Sequence, residues 1–203
     1  MKIICVGRNY REHAAELNNP VPAKPIIFMK PDTSLLRNNK DFYYPEFTQN
    51  LHYECEIVVR IGREGKYLQE EFVTSYIDGV ALGIDFTARD IQDECKAKSL
   101  PWTLAKGFND AAPVSEFIAP EELPPLDKLR FSCAINGEPR QVGHSADMIF
   151  PVNTLIAFIT RYITVKKGDL IFTGTPAGVG AVHVNDRITG ELEGHALLDF
   201  SIR

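Results

Sequence analysis

Apolar and polar positions alternate along this chain in short runs, most of them bounded by glycine, proline or asparagine. KIICVG (2–7) opens as a strand. GRNYREHAAELN then has the spacing of a short helix, with Asn9 where a cap would stand and Glu12 three residues on, as in a capping box. Asn18-Asn19-Pro20 stops it, and Pro22 and Pro25 make 18–25 an irregular loop. IIFMKP (26–31) is a short apolar strand reaching Lys30, and HYECEIVVRIG (52–62) is a longer strand that reads as buried. EEFVTSYIDG (70–79) reads as helix and VALGIDF (80–86) as strand, with Thr87 and Asp90 a second capping box before the helix DIQDECKAK. Residues 100–115 read as a long loop. KLRFSCAINGEPRQ is a hairpin turning at Asn136-Gly137. NTLIAFITRY is an amphipathic helix with Leu155, Ile156, Ile159 and Tyr162 on one face, GDLIFTG is a strand running into TPAGVG, and a closing hairpin turns at Glu193-Gly194. Strands outnumber helices, and their alternation is too irregular for a doubly wound sheet. The pattern predicts one strand-rich α+β domain spanning residues 1–203.

Composition changes that picture little. Apolar residues are 44% and charged residues 24% of 203, enough for a substantial core. The net charge of −5 and the lack of any Lys/Arg run argue against nucleic acid and membrane surfaces as partners. Cys5, Cys55, Cys95 and Cys133 form no CxxC pair and have no histidine at zinc spacing, so reduced thiols are expected. MKIICVGRNY turns polar too soon for a signal peptide, and no apolar run approaches the roughly 20 residues of a membrane span. The cytoplasm is the expected compartment.

The chemistry concentrates in acids at strand ends. Glu54 and Glu56 are two apart on a strand, so they share a face while Cys55 points the other way. Such a pair lies in water, is bridged by lysine or arginine, or holds a cation; spacing alone leaves all three open. Asp85, at the end of another apolar strand, would complete an all-oxygen ligand set of the kind that suits Mg²⁺, Mn²⁺ or Ca²⁺ rather than zinc. His13 and Glu16 share a helix face and form either a solvated pair or a water-activating one. Lys30, Arg89 and Lys106 are surface charges or, together, the receptors of an anionic substrate, with Gln92 one turn beyond Arg89. TGTPAGVG (173–180) lacks GK[ST] and the dinucleotide-binding glycine spacing; it is a plain turn or a cradle for a carboxylate, with the Thr175 hydroxyl helping.

These segments together resemble the fumarylacetoacetate hydrolase family, in its short acylpyruvase-like branch. VGRNYREHAAE, FMKP, LHYECEIVVRIG, GIDFTARDIQDECKAKSLPWTLAKGFN and DLIFTGTPAGVG carry the likeness, which covers essentially the whole chain. The resemblance implies a mixed β-roll core with flanking helices and a homodimer. It implies a Mg²⁺ or Mn²⁺ site at Glu54, Glu56 and Asp85, a catalytic dyad of His13 and Glu16 on a mobile lid (about 10–25), and Lys106 beside the metal. Arg8, Lys30, Arg89, Gln92 and Thr175 match positions lining the same pocket. The implied activity is hydrolysis of a carbon–carbon bond in a small 2,4-dioxo acid such as an acylpyruvate or fumarylpyruvate. The alternative is isomerisation, tautomerisation or decarboxylation of oxaloacetate or a 2-hydroxyhepta-2,4-diene-1,7-dioate-like substrate.

Overall fold

The computed structural model describes residues 1–16 and 20–203. In chain order come β1 (Ile3–Gly7), α1 (Arg11–Glu16), β2 (Ile26–Lys30), β3 (Leu35–Arg37), β4 (Leu51–Tyr53), β5 (Cys55–Ile61), β6 (Ile77–Ile84), β7 (Thr87–Ala88) and α2 (Arg89–Ala97). They are followed by α3 (Thr103–Lys106), β8 (Ala112–Val114), β9 (Arg130–Ile135), β10 (Glu138–His144), α4 (Val152–Tyr162), β11 (Leu170–Phe172), β12 (Gly180–Ala181), β13 (Arg187–Leu192) and β14 (His195–Ser201). A seven-stranded mixed sheet runs β2-β1-β11-β5-β6-β8-β3, a four-stranded antiparallel sheet β10-β9-β13-β14 packs over it, and a small sheet β12-β4-β7 closes one end. This is the expected α+β fold, a strand-rich β-roll core with flanking helices.

The central strand β5 shows why the core forms here. It lies between β11 and β6, which pair both its edges, and its side chains enter a core cluster on each face, so its sequence reads as a nearly continuous apolar run. Cys55, Ile57, Val59 and Ile61 point into the main core with Phe131, Cys133, Ile188 and Leu198 of the second sheet, while Val58 joins a smaller cluster with Ile3, Cys5 and Phe172. Glu56 shares its face with Val58 by the two-residue period. Both hairpin turns match the expectation: Asn136-Gly137 and Glu193-Gly194 have positive φ throughout, as a two-residue hairpin turn with the right twist requires.

The departures have local causes. Asn9 does not cap α1. Its amide donates to Thr173 O (2.8 Å) and Phe150 O (3.0 Å), and its Oδ1 accepts the Phe150 N–H (2.9 Å), so a tertiary latch takes the groups a cap would use. Thr87 and Asp90 form no capping box: the Thr87 hydroxyl donates to Asp85 O, and Asp90 accepts from Thr48 and the Gln49 N–H. Residues 70–76 wind as 3₁₀ helix, and β6 begins earlier than expected, at Ile77. The stretch 100–115 is not all loop but holds α3 and β8, each too short to show a period. Tyr162 leaves the apolar face of α4, is 70% exposed and meets Phe158. Within the expected lid, residues 11–16 are helical and 20–25 lack regular structure, while 17–19 lie outside the described residues.

One irregularity reaches the acidic end of β5. The β9–β10 register slips by one between Pro139 and Gln141, and this bulge turns Gln141 inward, where it is fully buried. Gln141 Oε1 accepts the Cys55 N–H (2.9 Å), and Nε2 donates to Thr175 Oγ1 (2.8 Å) and Pro176 O (2.9 Å). A buried group left without its partner costs about 1–3 kcal/mol. Gln141→Leu strands the Cys55 N–H and the Pro176 carbonyl together, and a loss of about 2–4 kcal/mol by urea unfolding is expected; a loss below about 1 kcal/mol would show that the side chain is no brace.

Candidate active site

Glu54 interrupts the strand between β4 and β5, and Asp85 follows the last residue of β6. Because β5 and β6 are antiparallel with Cys55 opposite Ile84, the start of one strand meets the end of the other. The Asp85 N–H donates to Glu54 O at 2.8 Å, which fastens the two acids together. Glu54, Glu56 and Asp85 are all buried, and one carboxylate oxygen of each lies within 4.8 Å of the others.

Three buried cations answer these three acids. Lys106 Nζ donates to Asp85 Oδ2 (2.7 Å) and Glu54 Oε2 (2.9 Å), and Arg89 Nη2 donates to Glu54 Oε1 (2.5 Å). Lys30 Nζ sits 2.7 Å from Asp85 Oδ1 but directs its hydrogens at the carbonyls of Phe86, Lys106 and Ala111. Asp85 Oδ1, fully buried, therefore receives no well-directed hydrogen bond. Glu56 has no ion pair among the described residues; the Gly174 N–H donates to its Oε2 at 2.7 Å. Burial pushes the Glu56 carboxyl well above the usual carboxylate range, and the charges of Asp85 and Glu54 push it further. Burial acts on Glu54 the same way, but Lys106 and Arg89 outweigh it and hold Glu54 well below its ordinary value. Burial disfavours the Lys106 ammonium, yet Asp85 and Glu54 raise it overall.

This oxygen set fits a hard divalent cation. It offers three converging carboxylates, one with an unbonded buried oxygen and one that burial makes reluctant to ionise unless positive charge arrives.

The dyad lies against the same place. His13 is buried on α1 with Nδ1 3.3 Å from Glu16 Oε2, which leaves Nε2 free of that contact. Glu16 Oε1 accepts the Gly178 N–H at 3.1 Å. Gly178 has φ +96°, and a Cβ there would lie 2.1 Å from Arg140 O, so only glycine can bring this peptide to Glu16. His13, Arg8, Arg89, Gln92, Glu54 and Lys106 all line one narrow cavity.

Two expected pocket residues stand elsewhere. Lys30 is behind Asp85, engaged with backbone carbonyls. Thr175 is buried with its hydroxyl taken up, donating to Cys55 O (2.8 Å) and accepting from Gln141. The glycine-rich loop does aim N–H groups at carboxylates, but they are the protein's own, Glu56 and Glu16. Sequence reasoning missed Lys96, Trp102 and Phe28 on the cavity wall and Gln141 behind it. Lys96 could have been found, since it stands four residues after Gln92; Gln141 carried no signal, because a bulge is not legible in a polar hairpin.

Residues 2–202 match the fumarylacetoacetate (FAA) hydrolase C-terminal family. The chain is 44% identical over 200 residues to the oxaloacetate tautomerase FAHD1, mitochondrial, of Rattus norvegicus, covering 98% of this chain and 90% of that protein. It is 41% identical over 182 residues to the mitochondrial oxaloacetate decarboxylase of Dictyostelium discoideum, covering 89% and 84%. Among solved structures, the fumarylpyruvate hydrolase of Pseudomonas aeruginosa in complex with Mn²⁺ and pyruvate superposes with a TM-score of 0.94 at 32% identity, covering 100% of this chain and 89% of that one. Both sequence relatives are named as mitochondrial, so the cytoplasmic expectation has no counterpart in them. Among the described residues no helix is long and apolar enough to cross a membrane. With nearly its whole length matched at these identities, the chain belongs to the fumarylacetoacetate hydrolase family.

Proposed function

We propose that this protein is a divalent-metal-dependent enzyme of small 2-oxo acids, and that its reaction is the keto–enol tautomerisation of oxaloacetate. The observation that carries this reading is the cavity, where Arg8, Arg89, Lys96 and Lys106 face the single wall carboxylate of Glu54. A site so charged suits a small dianion. The likeness to an oxaloacetate tautomerase supports the choice within that class. Hydrolysis, the first reading of the sequence, becomes the second.

Glu54, Glu56 and Asp85 would hold Mg²⁺ or Mn²⁺. The bound ion would supply Lewis-acid stabilisation of negative charge developing on the 2-oxo oxygen. Lys106, already between Glu54 and Asp85, adds a fixed positive charge at the same place. His13 Nε2 takes a proton from C3 of the keto form and delivers it to the 2-oxo oxygen, which gives the enol, and the reverse transfer restores the keto form, with Glu16 orienting the ring through Nδ1. Tautomerisation moves protons without consuming water, so its balance needs nothing further. Arg89 and Gln92, locked to each other at 2.7 Å, form the wall that orients the substrate. In the same reading residues 10–25 form the lid and two copies form a homodimer.

The hydrolase reading keeps a specific observation of its own. A buried histidine held by a carboxylate at the cavity edge suits activation of water, and the neighbouring fumarylpyruvate hydrolase was solved in complex with Mn²⁺ and pyruvate. A panel of oxaloacetate and acetylpyruvate, with and without chelator, separates the two. Tautomerisation should exceed acetylpyruvate cleavage at least about tenfold in kcat/KM and vanish with chelator; a cleavage rate above the tautomerisation rate reverses the order of the readings. His13→Ala should lower kcat by about 10²–10⁴-fold, and full turnover in that variant removes the dyad from the chemistry. Asp85→Asn should weaken Mn²⁺ binding by at least about tenfold in calorimetry, and unchanged affinity would refute the ligand assignment.

A further inference from the structure

Arg89, Gln92 and Lys96 stand at i, i+3 and i+7 along α2, so one stripe of the helix carries all three toward the cavity. The first two are engaged deep in the site: Arg89 donates to Glu54 and to Gln92. Lys96 ends the stripe. Its side chain is 31% exposed, and its ion-pair partner among the described residues is Asp93, 3.4 Å away and itself 63% exposed. Opposite stands Arg8, just after β1, held at φ +59°, a left-handed conformation that a non-glycine residue adopts only when its surroundings enforce it. Among the described residues Arg8 pairs with no carboxylate within 4.0 Å. Both residues line the cavity, and the one carboxylate on its wall, Glu54, is already engaged by Arg89 and Lys106. Burial lowers the Lys96 ammonium below its ordinary range; Asp93 opposes this, and Arg89 and Arg8 add to it. Four cations round one opening, with a single carboxylate on its wall and Lys96 held only by a long, exposed pair, favour an anion there.

We propose that Lys96, with Arg8, forms a distal-carboxylate subsite that makes the enzyme selective for 2-oxo dicarboxylates over 2-oxo acids with a neutral tail. The proposal rests on the reading of the cavity as a 2-oxo-acid site and adds a second pole to it. The inner pole is the acidic triad with Lys106, and the outer pole is Lys96 with Arg8. A ligand satisfying both is anionic at each end. Removing the outer charge weakens only ligands that carry the second carboxylate, because an ammonium gains nothing from a methyl group.

Trp102 is the chain's one tryptophan and lies on the cavity wall, so its fluorescence reports binding without turnover. The Mn²⁺-loaded full chain is titrated with oxaloacetate and with 2-oxobutyrate, which has the same four carbons but ends in a methyl group. Lys96→Met should weaken oxaloacetate about tenfold and change 2-oxobutyrate less than about twofold, while Lys96→Arg stays within about threefold for both. An equal change for the two ligands, or no change for either, overturns the subsite. If the wild type binds both ligands with the expected discrimination yet fails to tautomerise oxaloacetate, the reaction assignment falls and the subsite stands. If the wild type binds neither, both fall.

Discussion

Three carboxylates buried within 4.8 Å of one another are the constraint from which the rest of this structure follows. Desolvation and mutual repulsion both oppose their ionisation, and the fold must supply positive charge or let them protonate. It does some of each. Lys106 and Arg89 hold Glu54 ionised, and Lys30 sits against Asp85. Glu56, with only the Gly174 N–H, stays above the carboxylate range. The three acids are thus unequal, and the least compensated has the most to gain from a cation.

Holding the acids together falls to backbone pairing rather than to side chains. The β5–β6 register sets Glu54 beside Asp85, and the two-residue period adds Glu56. The loop after β11 completes the arrangement. Its Gly174 N–H reaches Glu56 and its Gly178 N–H reaches Glu16, so one segment touches both the acidic triad and the dyad. Gln141 clamps that loop to Cys55, the residue between the two glutamates. The placement of His13 through Glu16 and the placement of Glu56 are therefore not independent, and a disturbance of the loop reaches both.

Much of this was legible in the sequence, for identifiable reasons. Nearly continuous apolar runs marked β5 and most of β6, and the acids at their ends stood out because a buried strand seldom carries them. Helical spacing put His13 and Glu16 on one face, but it left a solvated pair open, and only the family resemblance pointed to a dyad. Asn9 and Thr87 misled, because a residue able to cap a helix is equally able to bond a distant carbonyl, and here tertiary contacts took the side chain. Thr175 misled in a related way: a hydroxyl in a glycine-rich loop suggests a ligand, but this one binds Cys55 and Gln141. Lys30 looked like a substrate contact and proved to be a counter-charge behind Asp85, which spacing cannot distinguish. Short elements such as α3 and β8, and the bulge that delivers Gln141, depend on pairing partners far along the chain and leave no local period.

The charge arithmetic explains why one site can be associated with several reactions among its relatives. Lys106, Arg89 and Lys30 stand against Glu54 and Asp85, while Glu56 has no cation of its own among the described residues. In the proposed reading a dication and a dianionic substrate enter together, and their charges cancel. That condition selects a ligand by charge and by its ability to spread negative charge onto an oxygen, and it says nothing of which bond then changes. Tautomerisation, decarboxylation and hydrolytic cleavage of 2-oxo acids all pass through electron density at that oxygen. They differ in what meets the neighbouring carbons: a proton carrier, a departing carboxylate or an activated water. In the proposed reading the acidic triad serves all three, and the choice among them falls to His13, Glu16 and the cations at the mouth of the cavity. On that reading, the cavity's outer wall and the α1 helix, more than Glu54, Glu56 and Asp85, are where a change of reaction would be found.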